Sequence, residues 1–136
     1  MKANLKIIDS MIYTQMKNHV IEEYGEKYSL TADNFSATDE TNSKAIFPFV
    51  YFTRIDAVQN SKDLERDRLQ GGLYLYLVKV FDNESQTRTR NLMNSAMDSM
   101  FKMGFESPRM SLPSKSDNIY QQQSRFQRNI DEGDTI

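Results

Sequence analysis

Cysteine is absent from this 136-residue chain, tryptophan is absent too, and histidine occurs once. Without a thiol there is no disulfide, no cysteine-ligated zinc or iron–sulfur cluster and no cysteine nucleophile. With His19 alone, a multi-histidine metal site cannot form within one chain, and no Ser-His-Asp arrangement is expected. Glycine is scarce, at 5 residues. Its one adjacent pair, Gly71-Gly72, precedes an apolar run, whereas a phosphate-cradling loop follows a strand and opens a helix. Turn freedom at the base of a hairpin is the expected role of that pair. No apolar run approaches the roughly 18 residues that span a bilayer. Met1-Lys2-Ala3-Asn4 leads straight into an amphipathic segment bearing Asp9, so no signal peptide is expected.

An excess of charge of one sign is missing as well. The 17 basic and 19 acidic residues leave a net charge of -2. Residues 1–83 carry ten Lys/Arg against twelve Asp/Glu, and residues 84–136 carry seven of each. Such mixing sets up no field that recruits nucleic acid or an anionic membrane.

What is present suits one packed domain over residues 1–130. Leu5, Ile8, Ile12, Met16 and Val20 recur every three or four residues and predict a one-sided helix from Asn4 to about Tyr24, with Gly25 as its stop. Tyr28 to Phe35 alternates loosely, as a short strand would, and residues 36–44 form a polar loop. Ala45 to Ile55 is rich in aromatic and β-branched residues and reads as a strand apolar on both faces, with Pro48 near its entry. Residues 56–72 are dense in alternating charge, which fits either a solvated loop or a projecting hairpin arm. Leu73 to Phe81 is the clearest strand: Leu73, Leu75 and Leu77 point one way, and Tyr74, Tyr76, Val78 and Val80 the other.

Asn83 with Gln86 resembles a capping box, and Leu92, Met93, Ala96, Met97, Met100 and Met103 mark the inner face of a second helix closed by Gly104. Pro108 and Pro113 bracket a connection. Asn118 to about Ile130 is the last strand, and residues 131–136 form a flexible acidic end. The order α-β-β-β-α-β predicts an α+β fold: a mostly antiparallel sheet of about four strands, with two helices on one face.

No chemistry stands out. Glu22, Glu23 and Glu26 read as a solvated helix end, and His19 with Glu23 shares a helix face but supplies only two ligands. No catalytic, metal or cofactor-binding residue is assigned, and no enzyme activity is expected. Surface remains. Tyr74 and Tyr76 are expected on the sheet face away from the helices, where monomers avoid large apolar patches. The polar run Tyr120 to Arg128 is expected to be an edge strand whose Arg125 and Arg128 face solvent, a lumen or a neighbour.

Several stretches, in order, resemble the tail-terminator or tail-completion (head–tail joining) proteins of long-tailed bacteriophages. Ile46-Phe47-Pro48-Phe49-Val50-Tyr51-Phe52 is similar to that family's FP-x-V strand, and Tyr74 to Phe81 to the strand after its variable charged loop. Met103-Gly104-Phe105 is similar to its xLGF helix close, while Asn118-Ile119-Tyr120-Gln121 and Ser124-Arg125-Phe126 resemble its TIYR and ARY strand. The Gln-rich last strand and residues 109–117 depart from the pattern. The resemblance implies a homohexameric ring in the virion, made in the host cytoplasm and capping the tail tube. Its partners would be other copies of the chain, the major tail tube protein and the head–tail connector, with DNA passing through the lumen unread. Contacts would come from edge strands and from Asp63, Glu65, Arg66 and Arg68, whose alternating charge favours specific registration. Another minor tail or joining component, or a monomeric binding or adaptor domain, are the rival readings.

Overall fold

The computed structural model describes residues 1–37, 46–59, 71–107 and 113–136. Its elements are α1 (Ile8–Tyr28), β1 (Phe35–Ser36), β2 (Phe49–Gln59), β3 (Gly72–Asp82), α2 (Gln86–Lys102), β4 (Ser114–Ser116) and β5 (Ile119–Ile130). The class is α+β, as expected. The sheet holds five strands in the order β1-β2-β3-β5-β4. All pairs are antiparallel except β1 with β2, which is parallel and short.

Helix α1 buries Ile8, Ile12, Met16 and Val20, the residues its period singled out. It does not stop at Gly25. It runs on to Tyr28 and closes at Ser29, which sits at φ 55 in the left-handed region. A glycine inside a helix costs about 1 kcal/mol relative to alanine. Contacts in the last turn offset that, one within the helix and one from outside it: Tyr24 stacks on Tyr28 at 5.2 Å, and Asn91 Nδ2 of α2 donates to the Tyr28 hydroxyl at 3.1 Å. The stretch expected as a short strand from Tyr28 to Phe35 is instead the end of α1, a turn of 3-10 helix at Ala32–Asn34 opened by a Thr31/Asn34 capping box, and the start of the two-residue β1.

Helix α2 is capped by Ser85, whose hydroxyl accepts from the Arg88 N–H at 3.2 Å, and not by Asn83. Its Leu92, Met93, Ala96, Met97 and Met100 are buried, so the methionine stripe is core. On the sheet side Val50, Phe52, Tyr74, Tyr76, Val78, Val80, Phe126 and Ile130 complete one cluster with the helices. Burying each such side chain contributes roughly 1.5–3 kcal/mol.

Strand β4, not foreseen, folds onto β5 through Asp117 and Asn118 at φ 51 and 63, the double left-handed pair that a tight two-residue hairpin turn requires. Residues 131–136, read as a flexible acidic end, instead pair with the first residues. The Ala3 N–H donates to Asp134 O at 2.7 Å, the Ile136 N–H donates to Met1 O at 2.9 Å, and the Leu5 N–H donates to Glu132 Oε2 at 2.8 Å.

Candidate functional site

Tyr74 and Tyr76 do not lie on the outer face. Tyr76 is completely buried beneath the helices and Tyr74 nearly so. The Tyr76 hydroxyl donates to Asp9 Oδ1 of α1 at 2.7 Å, its ring stacks on Phe52 at 5.0 Å, and it meets the edge of Phe105 at 5.6 Å. A phenol with a partner on α1 gains a hydrogen bond by turning inward, and a leucine in its place does not. Burial, then the hydrogen bond to Asp9 and its negative charge, hold the Tyr76 phenol far above its ordinary pKa, with Arg54 opposing. It is a neutral donor tying β3 to α1.

Asp9 Oδ2 also faces Arg54 Nη1 of β2 at 3.5 Å, with both side chains partly exposed. Together with Tyr13, Phe52 and Thr53 they line an open cleft of about 500 Å³ between α1 and β2. The cleft borders the stretch of β2 that, among the described residues, has no strand beside it. β1 pairs only with Val50 and Tyr51. Beyond them the outer edge of β2 runs on to Gln59, broken by an irregularity between Arg54 and Asp56. Ile55 and Val58 on this stretch are 44% and 53% exposed.

The face away from the helices carries the leucines. Leu73, Leu75 and Leu77 are half-buried there, flanked in register by Val58, Asp56 and Thr53 on β2 and by Asn129, Gln127 and Arg125 on β5. Lower down, Phe49 meets Phe81 at 6.2 Å. A leucine spine bordered by glutamine and arginine makes this face amphipathic.

The arginines expected at the surface divide. Arg125 is exposed opposite Leu77. Arg128 is engaged inside the chain: Nη1 donates to Met103 O at 2.6 Å at the end of α2, and Nη2 to Thr135 O at 3.0 Å. It is therefore no loose interface residue. The edge expected at β5 is shielded at both ends, by β4 and by the Glu106–Gln127 bridge, and its Gln122 and Ser124 are buried. Asp63, Glu65, Arg66 and Arg68 lie outside the described residues. The described strands on either side of them pair as far as Gln59 with Gly72.

Two further polar clusters escaped sequence reasoning. Asp82, wholly buried at the end of β3, is gripped by Arg88 Nε at 2.8 Å and by Arg88 Nη2. Asp82 also accepts from the Ser85 N–H at 3.1 Å, and the Arg88 guanidinium lies 5.8 Å from the centre of the Tyr28 ring. Hydrogen bonding to Asp82 raises the Arg88 pKa against the opposing effect of burial. The second cluster adds Asp98 of α2 to the His19–Glu23 pair of α1. Aspartate six residues before arginine, and histidine four before glutamate, are signals visible in sequence; only the packing of α2 on α1 gives them partners.

Fold and surface define a two-layer α+β domain whose accessible features, among the described residues, are an unpaired stretch of sheet edge, the cleft beside it and an amphipathic outer sheet face. No protein-family model matches the chain, and comparison with curated proteins gives no match.

Proposed function

We propose that this chain is a structural assembly subunit acting through protein–protein contacts, and that it caps the tail tube of a long-tailed phage as a homohexameric ring meeting tube protein on one side and head connector on the other. The carrying observation is the β2 edge: a strand stretch unflanked by any described strand, bearing exposed Ile55 and Val58 and leading into the charged hairpin connection. An open edge of this kind pairs with another chain unless something blunts it. The ordered run of motifs resembling tail terminators supplies the particular assembly. The charged segment holding Asp63, Glu65, Arg66 and Arg68 follows β2 in sequence and would fix registration between subunits.

The test is electron microscopy of the purified chain mixed with tubes of its cognate tail protein. Capped tubes that no longer elongate are the expected result. A chain that stays monomeric at high concentration and leaves the tubes bare overturns the proposal.

The cleft at Asp9, Tyr13 and Arg54 favours a second reading, a small binding module. That reading requires a small molecule to raise the thermal midpoint of the isolated chain by mass action.

A further inference from the structure

The lone histidine sits in a setting that its helix alone does not explain. His19 Nε2 is shielded from solvent and makes no hydrogen bond. It lies 3.5 Å from Glu23 Oε2, within ion-pair range but without hydrogen-bond geometry. Across the helix interface stands Asp98 of α2, and one ligand atom from each of the three residues lies within 4.8 Å of the others. Buried Ser95, one turn before Asp98, donates its hydroxyl to Glu23 Oε2 at 2.6 Å and fixes that carboxylate. A buried ring nitrogen with an unused lone pair, or an unused proton, is costly unless something occupies it.

We propose that His19, Glu23 and Asp98 form a site for one divalent transition ion of the zinc type, clipping α1 to α2. The donor set is one imidazole nitrogen and two carboxylate oxygens, which suits zinc-like ions better than magnesium or calcium, whose sites are built from oxygen. Bonds of about 2.0–2.2 Å to a tetrahedral ion place neighbouring ligand atoms roughly 3.4 Å apart. His19 and Glu23 already stand at that spacing. Asp98 is exposed, and its ligand atom, within 4.8 Å of the other two, closes the remaining gap by rotating its side chain, at little cost to packing. Water takes the fourth position. Ser95 is the positioning residue, holding Glu23 as outer partners hold metal-bound carboxylates elsewhere. The two carboxylates of Glu23 and Asp98 lie within 4.8 Å of each other, and a dication between them relieves their mutual repulsion. The site is independent of the assembly role and would operate in a monomer.

The experiment uses the full chain without a histidine tag, stripped with chelator and titrated with zinc chloride alone, magnesium chloride serving as the control. Because the chain holds a single histidine, its one imidazole Hε1 resonance reports binding without ambiguity. One equivalent of zinc is expected to shift that resonance and raise the thermal midpoint, while magnesium does neither. Ser95→Ala should weaken zinc binding by about 10–100-fold with the fold intact, and Asp98→Asn by at least as much. Absence of binding overturns the proposal. Equal response to magnesium, or zinc binding indifferent to Asp98→Asn, overturns it as well.

Discussion

Arg88, in the first turn of α2, forks onto the carboxylate of Asp82, which ends β3 with none of its side chain exposed. The pair fixes where the strand stops and at what angle the helix leaves it. Removing one partner strands the other in a dry setting, which costs about 3–5 kcal/mol. Asp82→Asn should therefore lower the unfolding free energy in urea by roughly that amount. The Arg88→Met/Asp82→Leu double replacement should be much milder. An effect of Asp82→Asn below about 1 kcal/mol would show that the fork contributes little.

A second expectation concerns alkaline pH. Burial, first of all, lifts the Tyr76 phenol above its ordinary value, and Tyr13, Tyr24 and Tyr74 shift the same way. Stability linked to these phenols is complete below about pH 10, the pKa of an unfolded tyrosine. Above it the unfolded chain loses protons that the folded chain keeps, so stability declines as pH rises, by up to about 1.4 kcal/mol per pH unit for Tyr76. Urea titrations between pH 8 and 11 should show this decline for the native chain. Tyr76→Phe should reduce its slope by close to one proton while costing about 0.5–1.5 kcal/mol at neutral pH for the lost hydrogen bond to Asp9.

Gly104 ends α2 at φ +85, and an added Cβ would stand 3.2 Å from Arg128 Nε. Left-handed backbone alone costs a side-chain-bearing residue about 1–2 kcal/mol. Crowding of the Arg128 guanidinium adds to this. Gly104→Ala is expected to lower the thermal midpoint clearly, whereas Gly133→Ala, equally left-handed but with open space around it, should show the backbone cost alone. The difference between the two isolates the contact with Arg128.

Association should respond to the β2 edge without a matching loss of stability. Ile55 and Val58 are exposed, so Ile55→Lys and Val58→Lys should change unfolding free energy by no more than about 0.5 kcal/mol. Charge on an edge strand opposes pairing. Light scattering and tube-capping assays should show the double variant monomeric and inactive in capping; unchanged association would move the interface elsewhere.

Much of the architecture was readable before any coordinates. The helix periods marked Ile8, Ile12, Met16 and Val20, and the methionines of α2, correctly as buried. The alternation of β3 separated leucines from tyrosines but not inside from outside. Both sets are apolar, so hydrophobicity is a poor guide to which turns inward. The choice fell to a polar contact between residues 67 apart, Tyr76 and Asp9, which no local pattern announces. The same limit hid Asp98 beside His19. Strand β4 was a different kind of miss. Asp117-Asn118 is a plausible pair for a tight turn, but three exposed polar residues before it carry no strand period. Residues 131–136 read as a flexible acidic end, yet they are held mainly through backbone groups, with the Glu132 carboxylate on the Leu5 N–H, and composition records none of this.

Arg128 makes one planar group a mechanical strut. Its two arms grip the Met103 carbonyl just past the end of α2 and the Thr135 carbonyl of the closing segment, while its backbone belongs to β5. Tension applied to the last residues is thus delivered to a helix end as well as to a strand, and the tail of the polypeptide cannot be peeled away without loosening the layer above it.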